Sequence, residues 1–229
     1  TAAIIAGGLL GLLFKNLLTK SMEDTLLKAS SVCVLFIGIG GAMQHMLKIT
    51  DGTLETSGSM MLIICFVLGS IVGELLDIEG AFERFGAWLR KKTHNESDTG
   101  FLSAFIHASL TVCIGAMAIV GSIQDGLLGD SSLLCAKAAL DAVIILVMTA
   151  SMGKGCIFSA IPVALLQGGV TLLSRVLAPV FTEAAIANLS YTGSVMIFCV
   201  GLNLVWGKKI KVANLLPTLV FAVLYALVF

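Results

Sequence analysis

Residues 131–155 read SSLLCAKAALDAVIILVMTASMGKG, and the way this stretch divides decides the architecture. Hydrocarbon about 30 Å thick needs roughly 20 apolar residues at 1.5 Å rise each, and residues 131–152 supply such a run. Gly153-Lys154-Gly155 is a turn signal that carries a charge, so the apolar residues from Cys156 onward begin a new segment. With that division the chain holds eight apolar runs: 2–14, 30–47, 59–76, 101–123, 131–152, 156–174, 190–207 and 212–229.

The distribution of basic residues tests the division independently, because Lys and Arg gather in short cytoplasmic loops of membrane proteins. Lys15, Lys20, Lys28, Arg84, Arg90, Lys91, Lys92, Lys154, Lys208, Lys209 and Lys211 fall in the first, third, fifth and seventh connections. The alternate connections hold only Lys48 and Arg175, and Lys137 lies within a run. This asymmetry predicts eight crossings, cytoplasmic basic loops and both ends of the chain outside. Fusing the fifth and sixth runs would move the cluster at Lys208 to the wrong side.

Composition agrees. Of 229 residues, 58% are apolar and 12% charged, against roughly 45–50% and about 25% for a soluble domain. The formal charge is zero, which argues against nucleic acid as a partner. Six cysteines, at 33, 65, 113, 135, 156 and 199, sit in or beside apolar runs and read as small buried hydrophobes. Position 1 is not Met and already adjoins an apolar stretch, so the natural N-terminus is expected to lie upstream, and a cleaved signal is compatible with this.

Between the third and fourth runs, Ile78, Phe82, Phe85 and Leu89 recur at helical spacing with Trp88 beside them, while Glu79, Glu83, Arg84, Arg90 and Lys91 fall elsewhere. The pattern predicts an amphipathic helix over 78–92 lying at the cytoplasmic interface, followed by a polar loop over 93–99. A plain continuation of the third span into water is the alternative.

Weak internal repeats are also expected. Gly7-Gly8-Leu9-Leu10-Gly11, Gly69-Ser70-Ile71-Val72-Gly73 and Gly168-Gly169-Val170-Thr171-Leu172 each precede a segment carrying Phe36-Ile37-Gly38, Cys113-Ile114-Gly115 or Cys199-Val200-Gly201. Given the crossings above, two helix pairs would enter the membrane in one direction and the third in the other, as in transporters built from repeats. Gly7, Gly11, Gly69, Gly73, Gly168 and Gly169 are read as helix-packing positions, where small residues let backbones approach.

Lys137 and Asp141 are the only charges deep within a run, and their i,i+4 spacing places them on one helix face. Asp141 falls near the bilayer midplane, where an ionised carboxylate costs at least about 2.5–3.5 kcal/mol and must face protein or water. It either binds a cation or proton, or forms a structural pair with Lys137, whose stem snorkels outward. Gln167 and Thr171 on the sixth run, Met117, Gln124 and Asp125 on the fourth, and Asn203 and Asn214 flanking the last inner loop are candidates to complete a site. Pro217 is expected to free the carbonyl of Ala213.

Catalytic signatures are missing. No Gly-x-Ser-x-Gly occurs and no Cys has a plausible His partner; His45, His94 and His107 lack metal-ligand spacing. Asp125 and Asp130 fall at the outer surface, too far from the depth of Asp141 for a paired-carboxylate protease. Neither enzymatic activity nor a cofactor is expected, and no phosphate-binding loop is present to couple ATP.

Three stretches, LGSIVGELLDIE at 68–79, GAMAIVGSIQDG at 115–126 and VANLLP at 212–217, resemble the YqgA-like bacterial membrane proteins, domain-of-unknown-function family 554. The similarity covers nearly the whole chain. Members usually begin with a Gly-Thr and Asn element ahead of the first span, and this sequence starts after it. The resemblance implies a bacterial inner-membrane protein, sometimes labelled a transporter, and supplies no site residues. The expected class is therefore an all-α polytopic bundle forming a single transmembrane domain. A gradient-driven transporter of a small solute or ion is the first reading of its function. A non-transporting oligomeric scaffold and an ion channel are the alternatives, and homo-oligomerisation is expected on packing grounds.

Overall fold

The computed structural model describes residues 1–15, 19–50, 52–93, 100–113, 116–177 and 179–228. In chain order the helices are α1 (Ala2–Lys15), α2 (Lys20–Met46), α3 (Ser59–Leu76), α4 (Ile78–Lys92), α5 (Phe101–Cys113), α6 (Ala116–Leu128), α7 (Ser132–Met152), α8 (Ala160–Leu172), α9 (Ser174–Leu177), α10 (Glu183–Trp206) and α11 (Pro217–Val228). Short 3-10 segments, Lys154–Ser159 and Val212–Leu215, precede α8 and α11. Four stretches are long and apolar enough to cross a membrane: Ser59–Leu76, Ser132–Met152, Lys154–Leu172 and Glu183–Trp206. The other apolar helices among the described residues are shorter: Ala2–Lys15, Ser31–Met46, Phe101–Cys113 and Val212–Val228.

The division after Met152 is borne out. Gly153 has φ 99°, a conformation that glycine adopts without steric cost, and the chain then enters the 3-10 segment. That segment is not a surface loop. Gly155, Cys156 and Ser159 are buried, and a methyl group at Gly155 would strike the backbone of Phe101.

The helical class holds, with one addition: strands Leu47–Thr50 and Thr53–Thr56 pair antiparallel, with Leu47 opposite Thr56 and Thr50 opposite Thr53. Helix α4 spans the expected residues, and its apolar stripe packs against protein. Leu89 is buried, Ile78, Phe82 and Phe85 pack on the main core, and Phe85 meets Phe105 of α5 with ring centroids 5.9 Å apart. Trp88 alone of the aromatic residues on α4 is largely exposed. The polar stretch expected over 93–99 lies, from residue 94 onward, outside the described residues.

Helix α5 is the central element. Phe101, residues 104–110 and Val112 are all buried, as expected for a helix that is apolar nearly all round. Around it, helices pair through glycines. A methyl group at Gly7 would run into the backbone of Ala142, and one at Gly11 into that of Leu146, so α1 and α7 lie parallel. Gly69 abuts Thr218 and Gly73 abuts Asn214, which makes α3 and α11 antiparallel; Gly38 on Phe198 and Gly41 on Ser194 do the same for α2 and α10. Gly168 and Gly169 do not follow: a methyl group at either meets nothing within 4 Å among the described residues. The small-residue rule identifies surfaces that admit close approach, and at these two glycines of α8 no described helix takes up the offer.

Asp77 makes the corner between α3 and α4. Its N–H bonds the carbonyls of Gly73 and Glu74, ending α3, while its carboxylate accepts from Gly80 N–H at 3.2 Å, starting α4. Among the described residues it is the one non-glycine with positive φ, 49°, which a short polar side chain tolerates. The Arg84 guanidinium, 3.0 Å away, holds the carboxyl below its usual range.

Candidate functional site

Lys137 and Asp141 are one turn apart on α7, and both are buried, at 7% and 5% exposure. The ammonium bonds Asp141 Oδ2 at 2.5 Å and donates to the carbonyl of Val112, on α5, at 2.8 Å. The pair expected from the spacing therefore forms. Lys137 does not snorkel outward, because its ammonium finds two acceptors inside the bundle. In low dielectric such a pair is strongly interdependent: removing one partner strands the other as an uncompensated charge.

The remaining candidates divide. Gln167 and Thr171 are partly exposed on α8, and the hydrogen bonds of the ion pair run to each other and to Val112, not to either of these residues. Gln124 and Asp125 are partly buried near the end of α6, where Gly126 packs closely on Thr171 and Ser174. Met117 falls in α6, and its side chain lies outside the described residues. Asn203 and Asn214 belong elsewhere, to a polar cluster where α4, α5, α10 and the 3-10 segment before α11 converge. Asn203 accepts from the N–H groups of Lys209 and Ile210, both at 2.9 Å, and donates to Ile210 O at 2.7 Å, folding the connection back on itself. Asn214 accepts from Glu79 N–H at 2.7 Å and donates to Glu74 at 2.6 Å. The carbonyl of Ala213 is not freed by Pro217: the 3-10 turn supplies Leu216 N–H to it at 3.1 Å.

The acidic residues of this cluster were missed by sequence reasoning, which assigned Glu79 and Glu83 to a solvated face. Glu79 is only 5% exposed. Its Oε2 accepts from Ala213 N–H at 3.0 Å and its Oε1 lies 3.0 Å from Lys208 Nζ, which also bonds Glu83. Burial draws the Lys208 ammonium down from its ordinary range, but its bonds to Glu83 and Glu79 outweigh this and leave it raised. Lys211 pairs with Glu74 at 2.5 Å. A cavity of about 180 Å³ opens beside Glu79, Glu83, Asn203 and Lys208 and runs along α5 past His107 to Leu110. No group of three or more His, Cys, Asp or Glu among the described residues is arranged to hold a metal ion.

The chain is 26% identical over 219 residues to the uncharacterized membrane protein YdfK of Bacillus subtilis, covering 96% of this chain and 90% of that protein. It is 25% identical over 228 residues to the uncharacterized protein YqgA of Escherichia coli, covering 96% and 91%. No solved structure matches it. Residues 1–227 match the family described as a protein of unknown function, DUF554, and the chain belongs to that family.

Proposed function

We propose that this helical membrane protein is a gradient-driven carrier of a small solute or ion in the bacterial inner membrane. The observation that carries the reading is the ion pair Lys137–Asp141, held within the apolar bundle and seated on the Val112 carbonyl. Ionisable groups at membrane depth are costly and cluster on transport paths and proton relays. A pair that protonation or a competing charge can open gives the bundle a second state for a ligand to select, as alternating access needs. The topology in this reading is eight passes with basic loops cytoplasmic. The parallel run of α1 with α7, and the antiparallel runs of α2 with α10 and α3 with α11, support that order.

The test is flux into proteoliposomes, followed with an internal pH dye and with alkali-cation tracers under an imposed potential. Flux that Asp141→Asn reduces at least tenfold, in a variant of unchanged secondary structure and dispersity, is the expected result. Flux unaffected by Asp141→Asn, or no flux from the wild-type chain, overturns the proposal. A second reading, an oligomeric scaffold, draws on Gly168 and Gly169, whose face on α8 also carries the exposed Leu165 and Leu172 and at the two glycines meets no described helix. Unitary currents in planar bilayers would point instead to a channel.

A further inference from the structure

The cavity beside α4 carries chemistry of its own, and this stands whether or not the chain transports anything. Glu79 and Glu83 are one turn apart and share a single cation, Lys208. Two carboxylates against one ammonium leave an excess negative charge on the cavity wall. Glu79 is committed on both oxygens, to Ala213 N–H and Lys208, whereas the partly exposed Glu83 has only Lys208. Opposite them His107 is 7% exposed. Its Nδ1 lies 2.8 Å from the carbonyl of Ser103 and 3.2 Å from the Ser103 hydroxyl; the nearer carbonyl can only accept, which assigns the proton to Nδ1 and leaves Nε2 as the acceptor. Nε2 has no partner among the described residues, on a side chain that lines the cavity. Apart from Ser103 and Asn203, whose amide is already bonded to residues 209 and 210, the remaining wall is apolar and includes Ile106, Leu110 and Val200.

An occupant that satisfies this wall must bring N–H donors and positive charge at one end and a short apolar body at the other. An anion is disfavoured by two carboxylates and finds Lys208 already engaged. A metal ion lacks its ligand set. At about 30 Å³ per water-sized particle, 180 Å³ admits a molecule of roughly half a dozen non-hydrogen atoms. We propose that the cavity binds a short primary alkylammonium compound, its N–H groups on Glu83 and His107 Nε2 and its carbon chain against Ile106, Leu110 and Val200. Lys208, itself an alkylammonium on a tether, occupies the same carboxylates when the ligand is absent.

The experiment titrates n-butylammonium into the full chain in nanodiscs, by calorimetry and by nitrogen NMR of histidine-labelled protein, with n-butanol and butyrate as controls. The expected result is saturable one-to-one binding of butylammonium, at least tenfold tighter than either control, with a concerted shift of the His107 Nε2 resonance. His107→Gln and Glu83→Gln each weaken binding about tenfold or more. The proposal is overturned if butylammonium binds no better than butanol, or if both variants bind as the wild type does. It is equally overturned if the Nε2 signal of the wild-type chain follows pH but ignores butylammonium, which would make the site one for protons alone. The wild-type titration decides the matter even if a variant fails to fold.

Discussion

The two polar clusters of this protein differ in how completely they are satisfied. On α7 one ammonium meets one carboxylate and a backbone carbonyl, with no cavity wall formed by either charged residue among those lining the cavity beside α4. At the end of the bundle Lys208 is divided between two carboxylates, and His107, whose Nε2 has no partner among the described residues, lines the cavity. The first arrangement suits a latch, which must be opened before it can do anything. The second suits recognition, because unmatched acceptors give a ligand something to gain. Apolar surroundings set this contrast, since inside lipid every unpaired polar group is expensive.

The largest effect should come from unbalancing the latch. Lys137→Met or Asp141→Leu alone is expected to cost about 3–5 kcal/mol, whereas the double replacement should recover most of the loss. Reversible unfolding in mixed micelles measures both, and singles that cost no more than the double would mean that the two charges are not coupled. Next are the helix contacts beside each cluster. Gly7→Val, against Ala142 next to Asp141, and Gly73→Val, against Asn214, should each cost about 1–3 kcal/mol through overpacking, while Gly168→Val leaves the unfolding midpoint of the isolated chain unchanged.

In the open cluster the same charge removal should be milder. Glu79→Gln leaves Lys208 paired with Glu83 but keeps a single acceptor oxygen, which can serve Ala213 N–H or Lys208 and not both, a loss of about 1–3 kcal/mol. Glu74→Gln removes the largely exposed pair with Lys211 and should lower the unfolding midpoint less than Glu79→Gln does, a loss that shrinks further in high salt. The smallest effect belongs to Asp77. Its carboxyl is depressed by Arg84, so its contribution is complete above its unfolded value near pH 4 and is lost as pH falls through the lower folded one. Arg84→Gln should move that acid limb upward in pH, as read by the unfolding midpoint between about pH 2 and 5.

Much of the frame was legible in one dimension. The turn signal at Gly153-Lys154-Gly155 places the end of α7, the stripe Ile78, Phe82, Phe85 and Leu89 gives α4 its observed limits, and four-residue spacing puts Lys137 against Asp141. Periodicity and spacing act within one helix, so they survive folding. What could not be read depends on residues far apart. Glu79 looks like a solvated charge because the groups that justify its burial, Ala213 N–H and Lys208, come about 130 residues later. The hairpin is a different failure: Asp51-Gly52 between β-branched and apolar residues is a hairpin signal, but strands of four residues are too short to stand out beside long apolar runs. Glycine spacing likewise identifies Gly168 as a place where a helix could lie, and says nothing of which helix comes.

The corner at Asp77 has a mechanical consequence. Because one residue ends α3 and begins α4, no slack separates the membrane-length helix from the one that carries Glu79 and Glu83. A bilayer that thins or thickens changes the tilt of its helices, and with no spacer at this corner a rocking of α3 would carry Glu79 and Glu83 together relative to Lys208.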